Sequence, residues 1–193
     1  MAGEEKWAWR VIDEVEKAVV GKRDILTKIM TAILAGGHIL IEDIPGTGKT
    51  TMALAFSRAM GLEVKRVQFT PDVLPSDLTG FTVYQKETGK FVYQPGAAIC
   101  NLLLADEINR TSPKTQSALL EVMEEQQVTV DGVTRDTGNP FIVIATENPA
   151  GSAGTQLLPE SQLDRFMICV SMGYPTLEEE MKVLRRSQGS VQA

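Results

Sequence analysis

The stretch HILIEDIPGTGKT, residues 38–50, decides the fold of this chain. Its first four residues, 38–41, form an apolar run of strand length, and residues 50–60 follow a helical pattern that ends at Gly61. Glycines in the turn between them allow backbone N–H groups to close around phosphate oxygens at the start of the helix. A strand, a glycine-rich turn and a helix in this order predict a phosphate-binding loop. A glycine-rich turn followed by a surface lysine is the alternative interpretation.

The end of this loop has the chemistry that a nucleotide and its metal ion need. Lys49 can reach the β- and γ-phosphates, and the hydroxyl of Thr50 can ligate Mg²⁺. The strict pattern G-x-x-x-x-G-K-[ST] is not met, because Asp43 stands where the first glycine belongs, but Gly48-Lys49-Thr50 is intact. We therefore predict that the nucleotide contacts Asp43, Pro45, Gly46, Thr47, Gly48, Lys49, Thr50 and Thr51.

Helical and strand patterns alternate along the rest of the chain. Alternation of this kind predicts an open, mostly parallel α/β sheet. Two segments, 81–94 and 128–133, are predicted to be β-hairpins, the second because Asp131-Gly132 lies between β-rich arms. Apolar spacing predicts helices at residues 11–19, 25–34, 113–125 and 176–186, and strands at 64–69, 101–105, 141–145 and 166–170.

Two carboxylates, Asp106 and Glu107, directly follow the predicted strand 101–105. Ligands of open α/β sheets bind at the carboxyl edge of the strands, where these side chains are expected. Asp106 can hold a metal ion through its water shell, and Glu107 can orient and deprotonate an attacking water. Paired acids are also common where strands meet solvent, so this assignment depends on the phosphate-binding loop upstream.

Two more polar residues lie next to predicted strands. Asn148 follows one of them, where its amide can hydrogen-bond a water or the γ-phosphate. A turn-forming asparagine before Pro149 is an equally good interpretation. Arg165 precedes the last strand and can present its guanidinium to a phosphate, including that of a neighbouring subunit. The sequence alone favours a surface ion pair of Arg165 with Asp164 or Glu160.

Composition limits the class of protein. The chain has 193 residues, enough for one compact α/β unit, and its net charge of -6 disfavours binding to a nucleic-acid backbone. It has no apolar run of about 18 residues, and residues 1–6 are acidic and polar, which predicts a cytoplasmic protein without membrane insertion.

Cys100 and Cys169 lie in apolar runs and are predicted to be buried thiols. His38 is expected to pack at the start of its strand, and a single histidine leaves little for a zinc site or a Ser/His triad.

Three side chains have roles that the sequence leaves open. Arg110 lies just past the acidic pair and can face either the site or an interface. Trp7 and Trp9, on the first helix, suit a partner surface because tryptophan anchors interfaces. Packing against the domain's own body is the favoured interpretation for both tryptophans.

Five blocks of the sequence resemble the AAA+ ATPase superfamily and, within it, the MoxR family. The resemblance covers residues 20–186, and blocks of this length are far more specific than a phosphate-binding loop alone. The blocks are GGHILIEDIPGTGKT (36–50), QFTPDVLPSDLTG (68–80), ADEINRTSPKTQ (105–116), ATENP (145–149) and LPESQLDRF (158–166).

The resemblance implies an α/β fold of the three-layer αβα P-loop NTPase type, with a five-stranded parallel sheet in the order 5-1-4-3-2. Segments 81–94 and 126–139 are then the two inserted hairpins of the helix-2-insert branch. ATP and Mg²⁺ are the implied cofactors. The implied site comprises Walker A residues Lys49 and Thr50, Walker B residues Asp106 and Glu107, sensor-1 Asn148, an arginine finger at Arg165, and Val20 and Gly21 in the adenine pocket.

The resemblance also implies how the chain is organised. Residues 1–186 form the expected nucleotide-binding core, including a helix at 1–19, and residues 187–193 form a tail that leads to a helical lid. By this resemblance the lid is expected to be missing from the chain, so weak turnover by the isolated chain is expected, and Arg185 and Arg186 are not assigned as sensor 2. Members of the family assemble as hexameric rings and act as chaperone-like remodellers, often with von Willebrand factor A-domain partners. A homo-oligomeric ATPase with protein clients is therefore expected.

Two other functions stay open. One is a nucleotide-binding scaffold with little hydrolysis, against which intact Glu107 and Asn148 argue. The other is a DNA-remodelling motor, but the hairpin tip at residues 130–136 carries two acids and one base, where a phosphate-gripping hairpin needs Lys or Arg. A GTPase is disfavoured because no Asn-Lys-x-Asp segment is present.

Overall fold

The structure, a computed structural model, describes residues 2–42, 48–148, 158–173 and 181. None of the helices in these ranges is long and apolar enough to cross a membrane. The predicted helix at 176–186 lies outside them, apart from residue 181.

The helices are α1 (Ala2–Glu16), α2 (Arg23–Leu34), α3 (Lys49–Met60), α4 (Pro75–Thr79), α5 (Pro113–Glu125) and α6 (Glu160–Leu163), with a 3₁₀ turn at Ile108–Arg110. The strands are β1 (Ile39–Glu42), β2 (Val64–Gln68), β3 (Phe81–Gln85), β4 (Lys90–Gln94), β5 (Leu102–Asp106), β6 (Gln127–Val130), β7 (Val133–Asp136), β8 (Ile142–Glu147) and β9 (Ile168–Val170).

Five of these strands form one parallel sheet in the order β2-β5-β8-β1-β9. If these five strands are numbered 1 to 5 in chain order, the sheet reads 2-3-4-1-5, which is the predicted order 5-1-4-3-2 read from the opposite end. The predicted topology is therefore confirmed. Strands β3 and β4 form one separate antiparallel hairpin, and β6 and β7 form another. The second hairpin turns at Asp131 and Gly132, whose φ angles of 53° and 75° suit a two-residue turn.

The side chains of the central strands alternate between two apolar clusters. Leu102 and Leu104 of β5 contact the cluster covered by α1, α2 and α3. Leu103 and Ala105 contact the other cluster, which α5 covers. Every residue of β5 and β8 is buried, as a strand between two helical layers must be. The predicted three-layer αβα architecture is therefore confirmed.

Local chemistry sets the end of α3 and the start of α5. Helix α3 ends at Gly61, whose φ of 67° is left-handed, as the sequence predicted. Helix α5 begins where the hydroxyl of Ser112 accepts a 3.3 Å bond from the N–H of Thr115. Strand β9 is shorter than the predicted 166–170 because the preceding turn continues to Phe166, whose N–H donates to the carbonyl of Leu163. Helix α4 and the 3₁₀ turn were not predicted.

His38 packs at the start of β1, as expected. Its Nδ1 accepts a 3.0 Å bond from the N–H of Val143, so its Nε2 carries the proton and donates to the carbonyl of Met123 at 3.0 Å. Burial lowers the pKa of His38 below 6.5, although the bond to Met123 opposes that shift. A neutral imidazole therefore joins α5 to the sheet.

Two predictions about burial are wrong. Cys100 is buried as predicted, but Cys169 is exposed because β9 is an edge strand of the sheet. Trp7 and Trp9 are 40% and 43% exposed, and the guanidinium of Arg23 lies 5.6 Å from the Trp9 ring centroid. The helical period places a different stripe of α1 against the core, composed of Ala8, Val11, Ile12 and Val15.

Candidate functional site

Strands β1, β5 and β8 end at one edge of the sheet, the carboxyl edge. The register pairs Glu42 with Glu147 and Ala105 with Ala145, so the three strands end nearly level. Residues 43–47 connect β1 to α3 and lie outside the described ranges. The predicted nucleotide contacts of Asp43, Pro45, Gly46 and Thr47 therefore stay predictions.

Helix α3 starts at this edge directly after Gly48. The φ of Gly48 is 85°, which glycine adopts readily, and an added Cβ would meet no atom of the described residues within 4 Å. The first N–H groups of a helix lack acceptors within the helix and can bind an anion. Lys49 is buried here, Thr50 is half-buried and Thr51 is exposed. The edge thus presents a helix start and a buried lysine, as a phosphate site requires.

Asp106 ends β5 as a buried carboxylate with two partners. Its Oδ2 accepts a 2.7 Å bond from Nε of Arg66 on β2, and its Oδ1 accepts a 3.4 Å bond from the hydroxyl of Thr146 on β8. These contacts hold the carboxylate at the strand end. Sequence analysis missed both partners, although Thr146 is a polar residue in an otherwise apolar run, which is a usable signal.

Glu107 has a left-handed backbone, with a φ of 57°, which is uncommon for a residue other than glycine. Its N–H donates to the Thr146 hydroxyl at 2.9 Å, and its Oε2 accepts a 2.7 Å bond from Nη1 of Arg110. Burial raises the pKa of Glu107, but Arg110, the Asn148 side chain and the charge of Lys49 together lower it below 4.5. Glu107 is therefore ionised at neutral pH, and Arg110 lies at the site.

Asn148 follows β8 at the same edge and is 8% exposed. Its N–H donates to Oδ1 of Asn109 at 3.3 Å, and its carbonyl accepts a 3.0 Å bond from Nδ2 of Asn109. Within the described ranges, the buried Oδ1 of Asn148 has no hydrogen-bond partner. A buried oxygen without a donor costs about 1–3 kcal/mol, and a bound water would satisfy it. Sequence analysis missed Asn109, which carries no pattern of its own.

Arg165 lies at the opposite edge of the sheet, the amino edge. It precedes β9, and two residues later the N–H of Met167 donates to the carbonyl of His38, just before β1 begins. The strands between the two edges have three to six residues and rise about 3.3 Å per residue. The structure therefore does not bring Arg165 together with Lys49 and Glu107 of the same chain.

The ion pair expected for Arg165 forms with a different acid. Its Nη1 lies 2.5 Å from Oε2 of Glu124 near the end of α5, so the expected partners Asp164 and Glu160 are wrong. Both side chains of the pair are exposed, at 42% and 51%. A pair that open to water contributes little to stability and separates easily.

Val20 and Gly21 lie in the turn between α1 and α2, and Gly21 has a φ of 77°. Helix α1 packs against α3, so this turn belongs to the same layer as the helix that begins with Lys49. Their place in an adenine pocket stays a prediction.

Sequence analysis also missed a carboxyl pair beside the loop. Glu147 ends β8, is buried, and faces Glu42 of β1 in the register. Burial, together with the hydrogen bond and the charge of Glu42, raises the pKa of Glu147 well above 4.5. The pair therefore keeps a proton at a pH where ordinary carboxyls have lost theirs.

The residues at the carboxyl edge fit a magnesium nucleotide. In the described part of the chain, no group of three or more His, Cys, Asp or Glu side chains could hold a metal ion unaided. Mg²⁺ instead suits one or two protein oxygens combined with substrate phosphates and water, which the hydroxyl of Thr50 and the carboxylate of Asp106 can supply. The unpartnered Oδ1 of Asn148 matches a water close to Glu107.

Comparisons with known proteins agree on one family. The family model described as "ATPase family associated with various cellular activities (AAA)" matches residues 38–168. The chain is 52% identical over 181 residues to the uncharacterised protein YeaC of Bacillus subtilis (strain 168). This alignment covers 94% of the chain and 57% of YeaC. The chain is also 42% identical over 177 residues to the chaperone MoxR1 of Mycobacterium tuberculosis. This alignment covers 92% of the chain and 47% of MoxR1.

A solved structure agrees as well. The crystal structure of a protein assigned as an ATPase from Cytophaga hutchinsonii matches with a TM-score of 0.84 and 44% identity, over 97% of this chain and 58% of that one. The chain spans about half the length of the curated relatives that it matches. Activities and partners of a whole protein therefore come to this chain only as proposals.

Proposed function

The chain belongs to the MoxR family of AAA+ ATPases, and on this premise we propose that it binds ATP with Mg²⁺ at the carboxyl edge and hydrolyses it. One observation carries the proposal. Glu107, whose N–H is bonded to the Thr146 hydroxyl, and Asn148, held by Asn109, lie at the edge where α3 begins with Lys49. Hydrolysis of a phosphoanhydride needs a proton acceptor, a group that orients water and a cation for the phosphates, and Glu107, Asn148 and Lys49 supply them.

Each residue has a stated task in this proposal. Glu107 takes a proton from the attacking water, and the Oδ1 of Asn148 holds that water in line with the bond to be broken. Thr50 and Asp106 hold Mg²⁺, which when bound neutralises charge that develops on the phosphate oxygens. The water oxygen bonds to the γ-phosphorus as the bond from that phosphorus to the bridging oxygen breaks, and ADP and inorganic phosphate leave. The remaining nucleotide contacts are those of Val20, Gly21, Asp43, Pro45, Gly46, Thr47, Gly48, Lys49 and Thr51.

Arg165 is assigned to the site of a neighbouring subunit in a homo-oligomeric ring, hexameric as in the family. Its position at the amino edge supports this assignment, because it cannot serve its own chain's nucleotide from there. The exposed Glu124 is its resting partner and must release it on assembly. An arginine that acts in trans accelerates phosphoryl transfer by about 10³- to 10⁵-fold in GTPase systems.

The wider function follows from the family. The relative named as a chaperone supports a chaperone-like remodeller of protein clients, for which a von Willebrand factor A-domain partner is proposed. Residues 1–186, in which the helix expected at 1–19 is α1 (Ala2–Glu16), are proposed as the nucleotide-binding core, and residues 187–193 as a tail towards a helical lid.

Phosphate release from ATP, measured over a wide range of protein concentration, tests the proposal. Turnover per chain should rise with concentration, because Arg165 acts between subunits. Glu107→Gln should lower kcat by about 10²- to 10⁴-fold while ATP still binds. Arg165→Ala should lower kcat by about 10³-fold or more, whereas Arg10→Ala, a change at an exposed arginine on α1, should not.

A mixture of the two inactive variants separates action in trans from action in cis. Mixing Glu107→Gln with Arg165→Ala should restore part of the turnover, because some interfaces then combine an intact Glu107 with an intact Arg165. If ATP binds but no concentration gives turnover above the Glu107→Gln background, the chain is a nucleotide-binding scaffold instead.

A further inference from the structure

Two asparagine side chains form similar bridges at the two ends of β5. Before the strand, the Oδ1 of Asn101 accepts from the N–H of Glu63, and its Nδ2 donates to the carbonyl of Pro140, both at 3.1 Å. After the strand, the amide of Asn109 is bonded to both backbone polar groups of Asn148, at 3.3 and 3.0 Å. Asn101 therefore joins two structural loops, whereas Asn109 joins two segments of the candidate site.

Asn109 lies in a turn that is itself held firmly. The carbonyl of Ile108 accepts a 3.0 Å bond from Nε2 of Gln116 on α5, and the N–H of Arg110 donates to the carbonyl of Glu107. Asn109 is 0% exposed. Because this turn begins at Glu107, any shift of the backbone at Asn148 relative to Glu107 must break buried hydrogen bonds.

The Asn109 bridge sets the position of the Asn148 side chain relative to the Glu107 carboxylate. The Asn148 side chain lies within hydrogen-bonding reach of the Glu107 carboxylate, and its Oδ1 is buried without a partner in the described ranges. A water between Oδ1 and the carboxylate would satisfy both groups. The distance between them is set by β5, β8 and the Asn109 bridge, because the residues are far apart in the chain.

We propose that Asn109 is a positioning residue for ATP hydrolysis, which holds the Asn148 amide at the place where it and Glu107 address the same water. This inference rests on the proposed ATPase function. It predicts an effect on kcat rather than on ATP binding, because the phosphate-binding groups lie on α3 and the loop before it. A misplacement of about 1 Å in such a site lowers the rate by about 10²-fold.

The test compares matched variants at the two ends of β5 in the full chain. Asn109→Asp keeps the size and the acceptor for the Asn148 N–H, but it replaces the donor with an oxygen that faces the Asn148 carbonyl. It should lower kcat by about 30- to 100-fold, with the KM for ATP and the Kd for ADP changed less than about threefold. Asn101→Asp makes the same replacement at the other bridge and should lower Tm by a smaller amount, because Asn101 is only half-buried, with kcat retained.

A measurement without turnover makes the outcome independent of hydrolysis. In ¹⁵N NMR spectra, Glu107→Gln should shift the side-chain amide signals of Asn148, and this response should be lost in the Asn109→Asp background. If the response is lost while wild type shows no turnover, the hydrolase proposal fails, and with it the role of Asn109 in hydrolysis, whereas the placement of the Asn148 amide by Asn109 stands.

Three results would overturn the inference. One is an undiminished NMR response in Asn109→Asp. Another is retention of wild-type kcat by that variant, and the third is an equal loss of kcat in Asn101→Asp. If Asn109→Asp does not fold, Asn109→Ser, which adds no charge to the interior, takes its place in the same measurements.

Discussion

At the two edges of the central sheet, the polar side chains next to β1, β5 and β8 differ in how completely they are paired. At the amino edge, both ring nitrogens of His38 and both amide atoms of Asn101 have backbone partners. At the carboxyl edge, the Oδ1 of Asn148 and the Oε2 of Glu147 are buried without partners in the described ranges, and Glu107 has a left-handed backbone. Unpaired groups and strained backbone each cost about 1–3 kcal/mol. The amino edge stabilises the fold, and the carboxyl edge keeps polar groups available for a ligand.

Lys49→Met should have the largest effect at the carboxyl edge. The variant removes the ammonium that the proposal places on the phosphates, and hydrogen bonds to charged groups contribute about 1.5–3 kcal/mol, so ATP affinity should fall by about 10- to 100-fold. Isothermal titration calorimetry measures the change. Lys65→Met is the matched control, because Lys65 lies on β2, away from the start of α3, and its ammonium donates to the carbonyl of Gly96. Equal losses in both variants would contradict a site at the start of α3.

His38→Gln should have the largest effect at the amino edge. The free energy of unfolding at about pH 8 should fall by about 2 kcal/mol, because two buried backbone groups lose their partners. The wild type should lose stability as the pH falls below 6.5, because the unfolded chain then binds a proton that the folded imidazole, with its lowered pKa, does not bind.

Urea unfolding of wild type and His38→Gln across this pH range checks the sign. The difference in stability between the two proteins should shrink as the pH falls from about 7 to about 5. A constant difference would mean that His38 does not titrate differently in the folded and unfolded states.

Glu147→Gln should raise the free energy of unfolding, by less than His38→Gln lowers it. The raised pKa of Glu147 means that the folded state holds its proton above 4.5, where the unfolded chain has released it, so this group destabilises the fold as the pH rises. The variant should therefore be about 1 kcal/mol more stable than wild type at about pH 8 and equal to it near pH 4.5. The same urea series measures this difference.

Glu42→Gln provides the control for the carboxyl pair. Because each substitution relieves the same repulsion, the double variant should gain less than the sum of the two single gains. Additive gains would show that the two carboxyls do not interact, and the contrast between the edges would then rest on Asn148 and Glu107 alone.

Much of the fold could be predicted because its signals are local. The strands of the parallel sheet, helices α3 and α5 and both hairpins follow from apolar spacing and from turn residues such as Gly61 and Asp131-Gly132. Helix α4 was missed because five residues are too few to show a helical period. The exposure of Cys169 was missed because an apolar run does not reveal whether its strand lies at the centre or at the edge of a sheet.

By itself, the sequence determined the layered α/β fold, the start of α3 and the types of residue at the carboxyl edge, because apolar period and turn chemistry belong to neighbours in the chain. Only the tertiary structure decided that Thr146 bridges Asp106 and Glu107, and that Asn109 holds Asn148. It also decided that Arg165 lies at the edge opposite Lys49. The bonds of Thr146 and of Asn109 join residues 39 or 40 positions apart in the chain, and no local pattern specifies which side chains the pairing of distant strands brings together.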